Sequence, residues 1–216
     1  MFDYKFKVPE QKRIRMIVHT DCKKGETAKA SYDEVKKVLE LMHLENEYEV
    51  YMGAGGGLPD EKTPLDSPGA RFIIQEAMRE DARPLFIGLQ GAVTDLASAI
   101  LMKPEICQRM TAIWIGGGQY PEGGFEFNLM AAGDAHWPHG EIWGLGDQGV
   151  ISVLMEEQEK TDSYEWIPAP SVDTKTMKYI HNSKNRKIRV YHHVNDRLTL
   201  EDFFCKLQLN FPEADS

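Results

Sequence analysis

The chain has 216 residues, with 25 Lys and Arg against 34 Asp and Glu, a net charge of -9 at pH 7. Hydrophobic residues make up 42% and charged residues 27%, a globular balance that excludes long disorder and fibrous repeats. The acidic balance disfavours nucleic acid as a partner, because neutralising phosphates takes a basic face. No run approaches the ~18 consecutive apolar residues of a membrane-spanning helix. Met1 to Lys12 is mixed and charged, without the apolar core of a signal peptide, so the expected compartment is the cytoplasm. No linker or repeat divides the chain, and a single domain over 1–216 is expected. Cys22, Cys107 and Cys205 are widely spaced and form no C-x-x-C pair. They read as free thiols rather than as a zinc or redox site.

In chain order, Ile14 to His19 is a strand candidate that ends at Thr20-Asp21. Ser31 to Met42 reads as a helix: Ser31 and Glu34 have capping-box spacing, and Val35, Val38, Leu39 and Met42 share a face. Tyr48 to Met52 is a second strand candidate, followed by the glycine-rich run Gly53 to Gly57. Ser67-Pro68 opens a helix carrying Phe72, Ile73, Ala77 and Met78. Pro84 to Leu89 is a strand, Val93 to Met102 a helix of small residues, and Pro104 to about Met110 a short helix. Ala112 to Ile115 is a strand running into Gly116-Gly117-Gly118. Glu141 to Trp143 reads as a brief strand, Gly149 to Gln158 as a helix, Lys187 to His193 as a strand and Leu200 to Leu209 as a last helix. Alternating strands and helices predict an α/β fold, a mostly parallel open sheet with helices on both faces.

In such a sheet ligands bind outside the carboxyl ends of the strands. Polar or glycine-rich elements follow several of the predicted strands: Thr20-Asp21, Gln90-Gly91, Gly116 to Gly118 and Gly146-Asp147. Two carboxylates and a backbone carbonyl on one rim suit a hard cation such as Ca²⁺ or Mg²⁺. Each has a plainer reading as well, Asp21 as a turn residue and Asp147 as a helix N-cap. In Glu126-Phe127-Asn128, alternate residues of an extended segment point the same way, so a carboxylate and an amide face one cavity together. That pair is suited to gripping vicinal hydroxyls. Its plain reading is a surface turn.

Four segments in order resemble the inosine-uridine nucleoside hydrolase family. Val50-Tyr51-Met52-Gly53-Ala54 is similar to its p-V-y-x-G-A, Leu89 to Ala97 to its G-P-L-T-N-x-A, Ala112 to Gly118 to its v-x-M-G-G, and Glu126-Phe127-Asn128 matches its E-F-N. The resemblance covers most of the chain from Asp33 onward. It extends to Val172-Asp173 and to Val190 to Phe204, which are similar to the family's last strand and helix. It implies a nucleoside hydrolase-like, Rossmann-like fold. It also implies hydrolysis of the N-glycosidic bond of a ribonucleoside to ribose and free base, with a bound Ca²⁺. Carried over residue by residue, the metal ligands are Asp21, from His19-Thr20-Asp21 at the family's D-T-D, the backbone carbonyl of Gln90, and Asp147. The ribose-gripping pair is Glu126 and Asn128, with Ile115 beside the sugar. A homodimer or homotetramer is implied on the same footing.

The chain departs from the family where the chemistry is concentrated. The family's opening motif continues into two further Asp residues, a metal ligand and the catalytic base. Here Asp21 is followed by Cys22-Lys23-Lys24-Gly25-Glu26. Between Asn128 and Asp147 only 18 residues remain, too few for two helices of about 11 residues plus loops. The residue before Asp147 is Gly146 where the family has His. The chain thus reads as a shortened member whose base is missing from its usual place, with Glu26 and His139 as the substitutes in view. Two other readings stand beside hydrolysis. One is a nucleoside- or ribose-binding protein of the same fold without catalysis. The other is an unrelated α/β enzyme using Cys22 with His19.

Overall fold

The computed structural model describes residues 9–20, 25–116, 120–124, 164–191 and 196–210. Three strands, β1 (Arg15–His19), β2 (Leu85–Leu89) and β3 (Thr111–Trp114), form a parallel sheet in the order β1-β2-β3. The register places His19 opposite Leu89 and Leu89 opposite Trp114. The carboxyl ends of all three strands are therefore level.

β2 occupies the centre because it is apolar on both faces, as a covered parallel strand must be. Leu85, Ile87 and Leu89 are buried on it. Helix α2 (Pro68–Met78) starts where the sequence predicts, with Pro68 in its first turn and Ser67 as N-cap accepting from the backbone N–H of Ala70. Ala70, Ile73 and Ala77, spaced three and four apart, turn one face of α2 into the core. Helix α3 (Thr94–Met102) packs against α2, and its buried Ser98 and Ala99 leave room for close approach. Burial of Ile73 and Ile87 contributes roughly 1.5–3 kcal/mol each. At the opposite edge, Arg15 donates to the backbone carbonyl of Glu76 at 2.6 Å and to its carboxylate at 3.3 Å. That contact ties the start of β1 to the carboxyl end of α2, where a cation is favoured.

Three expectations change. Helix α1 spans Gly25–Leu41, so Ser31 lies inside it rather than at its N-cap; Ala28, Lys29 and Ala30 are good helix formers and carry the helix past the capping-box signal. The segment 48–52 is not a strand. It runs beside α2, with the Met52 carbonyl accepting from Gly69 N–H and the Tyr51 ring stacked on Phe72 at 4.2 Å. Its aromatic, alternating composition serves a helix contact rather than a ladder. Pro104–Gln108 is the expected short helix, of 3-10 type and ending two residues before Met110.

The last change concerns the sheet. The strand expected at Lys187 is β7 (Lys187–Tyr191), and it pairs antiparallel with β4 (Tyr164–Pro168). Between them lie only β5 (Ser171–Val172) and β6 (Tyr179–Ile180), a small antiparallel pair closed by a turn at Asp173. A parallel pairing requires a long crossover, and no helix intervenes here. The fold is α/β with a three-stranded parallel sheet, and beside it stand two separate short antiparallel ladders that the alternation did not signal. Helix α4 spans Asp196–Asn210. The expected strand at Glu141 and helix at Gly149 lie outside the described residues. No helix among the described residues is long and apolar enough to cross a membrane.

Candidate functional site

The level strand ends build a rim. Gln90 N–H donates to the His19 carbonyl at 3.0 Å, and Ile115 N–H donates to the Leu89 carbonyl at 3.1 Å. The Trp114 indole N–H reaches back to the Gly91 carbonyl at 2.8 Å. Gly116 is required for that fold-back, since a Cβ there would lie 2.5 Å from the indole ring. His19, Gln90 and Ile115 are thereby brought to one edge of the sheet.

Under this rim sits a buried polar cluster centred on Asp95, which is 2% exposed. Its Oδ2 lies 2.7 Å from His19 Nε2. Its Oδ1 accepts from the Ala54 backbone N–H at 2.9 Å and from the Ser67 hydroxyl. Ser67 Oγ is itself the acceptor of the α2 cap bond, so its proton is free to point at Asp95. Asp95 lies in the first turn of α3, where the helix favours a negative charge. Burial raises its pKa, but the hydrogen bonds from His19 and Ser67, the His19 charge and the Ala54 N–H together outweigh it and hold the carboxyl below its ordinary value.

An ionised carboxylate only accepts, so His19 Nε2 is the donor of this bond. Nδ1 is shielded from solvent and has no hydrogen-bond partner. Glycine packing makes room for the arrangement. A Cβ on Gly53 would fall on Asp95 Oδ2, and one on Gly69 would lie 3.4 Å from the same carboxylate.

Of the residues singled out in sequence, Gln90 and Ile115 are on the rim. Asp21, Glu126, Asn128, His139 and Asp147 lie outside the described residues, as does Cys22. Glu26 falls in α1, and its side chain is outside the described set. Cys107 and Cys205 are free thiols. Among the described residues no group of three His, Cys, Asp or Glu could hold a metal. The described part of the implied Ca²⁺ ligand set is Gln90.

Sequence reasoning missed the His19–Asp95–Ser67 cluster. Nothing in spacing pairs residues so far apart. The available signal is chemical: an acid placed among the small and apolar residues Ala92, Val93, Leu96 and Ala97. A separate open cavity of about 320 Å³ lies between α1 and the 45–51 segment, lined by Tyr32, Lys36, Glu45, Tyr48 and Glu49 among others. It contains none of the strand-end residues, and its Tyr48 is 58% exposed. The rim, not this groove, gathers the chemistry. No protein-family model matches the chain, and no curated protein matches it either.

Proposed function

We propose that the chain is a nucleoside hydrolase-like protein that takes a ribonucleoside at the carboxyl ends of β1, β2 and β3 and cleaves its N-glycosidic bond to ribose and free base. The observation that carries this reading is convergence. Three segments of the resemblance, His19-Thr20, Gly53-Ala54 and Thr94-Asp95, meet in one hydrogen-bonded cluster, and Gln90 and Ile115 stand at the adjoining rim. In this reading Ca²⁺ is held by Asp21, the Gln90 carbonyl and Asp147, oxygen donors that suit a hard cation. Glu126 and Asn128 hold the ribose, with Ile115 beside it.

A second reading, nucleoside or ribose binding without cleavage, is favoured by one observation: Cys22-Lys23-Lys24 stands where the family carries its Asp pair. Loss of a general base costs about 10²–10⁴-fold in rate. Ribose release from a nucleoside panel, with added Ca²⁺ and with a chelator, separates the two. Chelator-sensitive release supports the hydrolase. Binding without release supports the binding protein, and neither binding nor release overturns both.

A further inference from the structure

We propose that one face of the β4–β7 ladder binds single-stranded nucleic acid, stacking a base on Trp166 and drawing the phosphates to Arg189 and Lys187. The proposal does not rest on the nucleoside reading, which concerns the strand-end rim.

Directly opposed residues of an antiparallel ladder share a face, as do residues two apart on one strand. The register sets Tyr164 opposite Tyr191, Trp166 opposite Arg189, and Pro168 opposite Lys187. Three aromatic rings and two cations therefore stand on one face. The other face carries Ile167 and Ile188, and Ile167 is buried, so the apolar side of the ladder packs inward. On the aromatic side Trp166 is 56% exposed, and Lys187 is exposed too. The Arg189 guanidinium lies 5.4 Å from the ring centroids of Tyr164 and Trp166 and 5.9 Å from that of Tyr191. Cation–π attraction acts over that range, so the rings hold the positive charge in place before any ligand arrives.

Charge complementarity identifies the occupant. The whole chain is acidic, but residues 164–191 carry six Lys and Arg against two Asp and Glu. Lys184, Arg186, Lys187 and Arg189 fall within six positions that hold no acid. The acidic balance that disfavours nucleic acid for the chain as a whole is thus reversed in this segment. A polyanion with planar rings satisfies both halves of the surface. Bases of an unpaired strand stack on aromatic side chains and on Arg planes, while the backbone follows the cations. An acidic peptide would use the charge and leave the indole unused. A neutral sugar would use the indole and leave the charge unused.

The experiment titrates a fluorescein-labelled oligo(dT) with the full chain and reads anisotropy over a series of salt concentrations. The parent is expected to bind, with affinity falling as salt rises. Trp166→Ala is expected to weaken binding about tenfold or more, the scale of one lost base stack. Lys187→Gln is expected to weaken it less and to flatten the salt dependence by about 0.7 in the log–log slope, one phosphate contact on a single strand. Both positions are exposed, and circular dichroism checks that each variant is folded. No binding by the parent overturns the proposal. So does equal affinity for heparin, a polyanion without bases, together with parent-like binding by Trp166→Ala, because the face is then only a charged patch. Trp166-dependent binding to phosphatidylserine vesicles without binding to the oligonucleotide overturns it in favour of a membrane surface. Inosine, with one base and no phosphate, is expected not to compete. Full displacement by inosine places the oligonucleotide at the strand-end rim, which overturns the proposal and leaves the nucleoside reading standing.

Discussion

His19 and Asp95 are joined by a 2.7 Å contact between Nε2 and Oδ2, linking the carboxyl end of an edge strand to the first turn of a helix on the far side of β2 in the sequence. The contact fixes where the end of β1 sits relative to α3. Because Asp95 also receives Ala54 and Ser67, it gathers four chain segments at one point beneath the proposed ligand rim.

Asp95→Ala removes the acceptor for three donors at once. Donors left unsatisfied in a buried site cost about 1–3 kcal/mol apiece, partly recovered where water enters. The expected destabilisation is about 2–4 kcal/mol, read as a lower urea midpoint in equilibrium unfolding. A change below about 0.5 kcal/mol, the scale of ordinary surface substitutions, contradicts the central place given to this carboxylate.

Gly53→Ala places a methyl on Asp95 Oδ2, whereas nothing lies within 4 Å of a Cβ at Gly55. Overpacking of that kind costs roughly 1–3 kcal/mol, while Gly55→Ala at its exposed position stays near neutral. Thermal unfolding of the two variants side by side makes the comparison. Equal midpoints show that the loop does not close on Asp95 as described.

Much of this was legible in sequence, and what was not has identifiable causes. The apolar run of β2 and the Ser67-Pro68 start of α2 were readable because local preference and burial agree there. The segment 48–52 misled because an aromatic run packed on α2 has the same composition as a strand. The β4–β7 ladder was hidden because pairing partners are set by what lies between them, not by either strand alone. For the site, Gln90 and Ile115 could be placed because strand ends are predictable. The cluster of His19, Asp95 and Ser67 is a product of tertiary packing.

Ser67→Ala deletes both the α2 cap and a hydrogen bond to Asp95. Loss of a helix cap costs about 0.5–2 kcal/mol. The variant is expected near the upper end of that range, since a second bond goes with it. Helical circular dichroism through a thermal scan reads the effect. A loss of a few tenths of a kcal/mol indicates that water replaces the hydroxyl in both roles.

Acid should weaken the fold through two carboxylates. Asp81, bonded by the Arg83 side chain and backbone, and Asp95 are both held below the ordinary value of 3.8. The unfolded chain therefore takes up these protons first as pH falls. Their contribution is complete above about pH 5 and is lost progressively below about pH 4. The Arg83 partner of Asp81 is 43% exposed and screened by solvent, whereas Asp95 is 2% exposed, so Asp95→Asn should flatten the decline in melting temperature between about pH 5 and pH 3 more than Asp81→Asn does. The reverse order contradicts the assignment of Asp95 as the buried charge.

The most direct test of the account is amide chemical-shift mapping of the ¹⁵N-labelled chain titrated with inosine in the presence of Ca²⁺. The account predicts that the amides of His19, Thr20, Gln90, Gly91, Ile115 and Gly116 move together and saturate, while those of the β4–β7 ladder stay still. Shifts confined to the ladder or to the groove beside α1, or no shifts at all, contradict the claim that the strand-end rim is where a ribonucleoside binds.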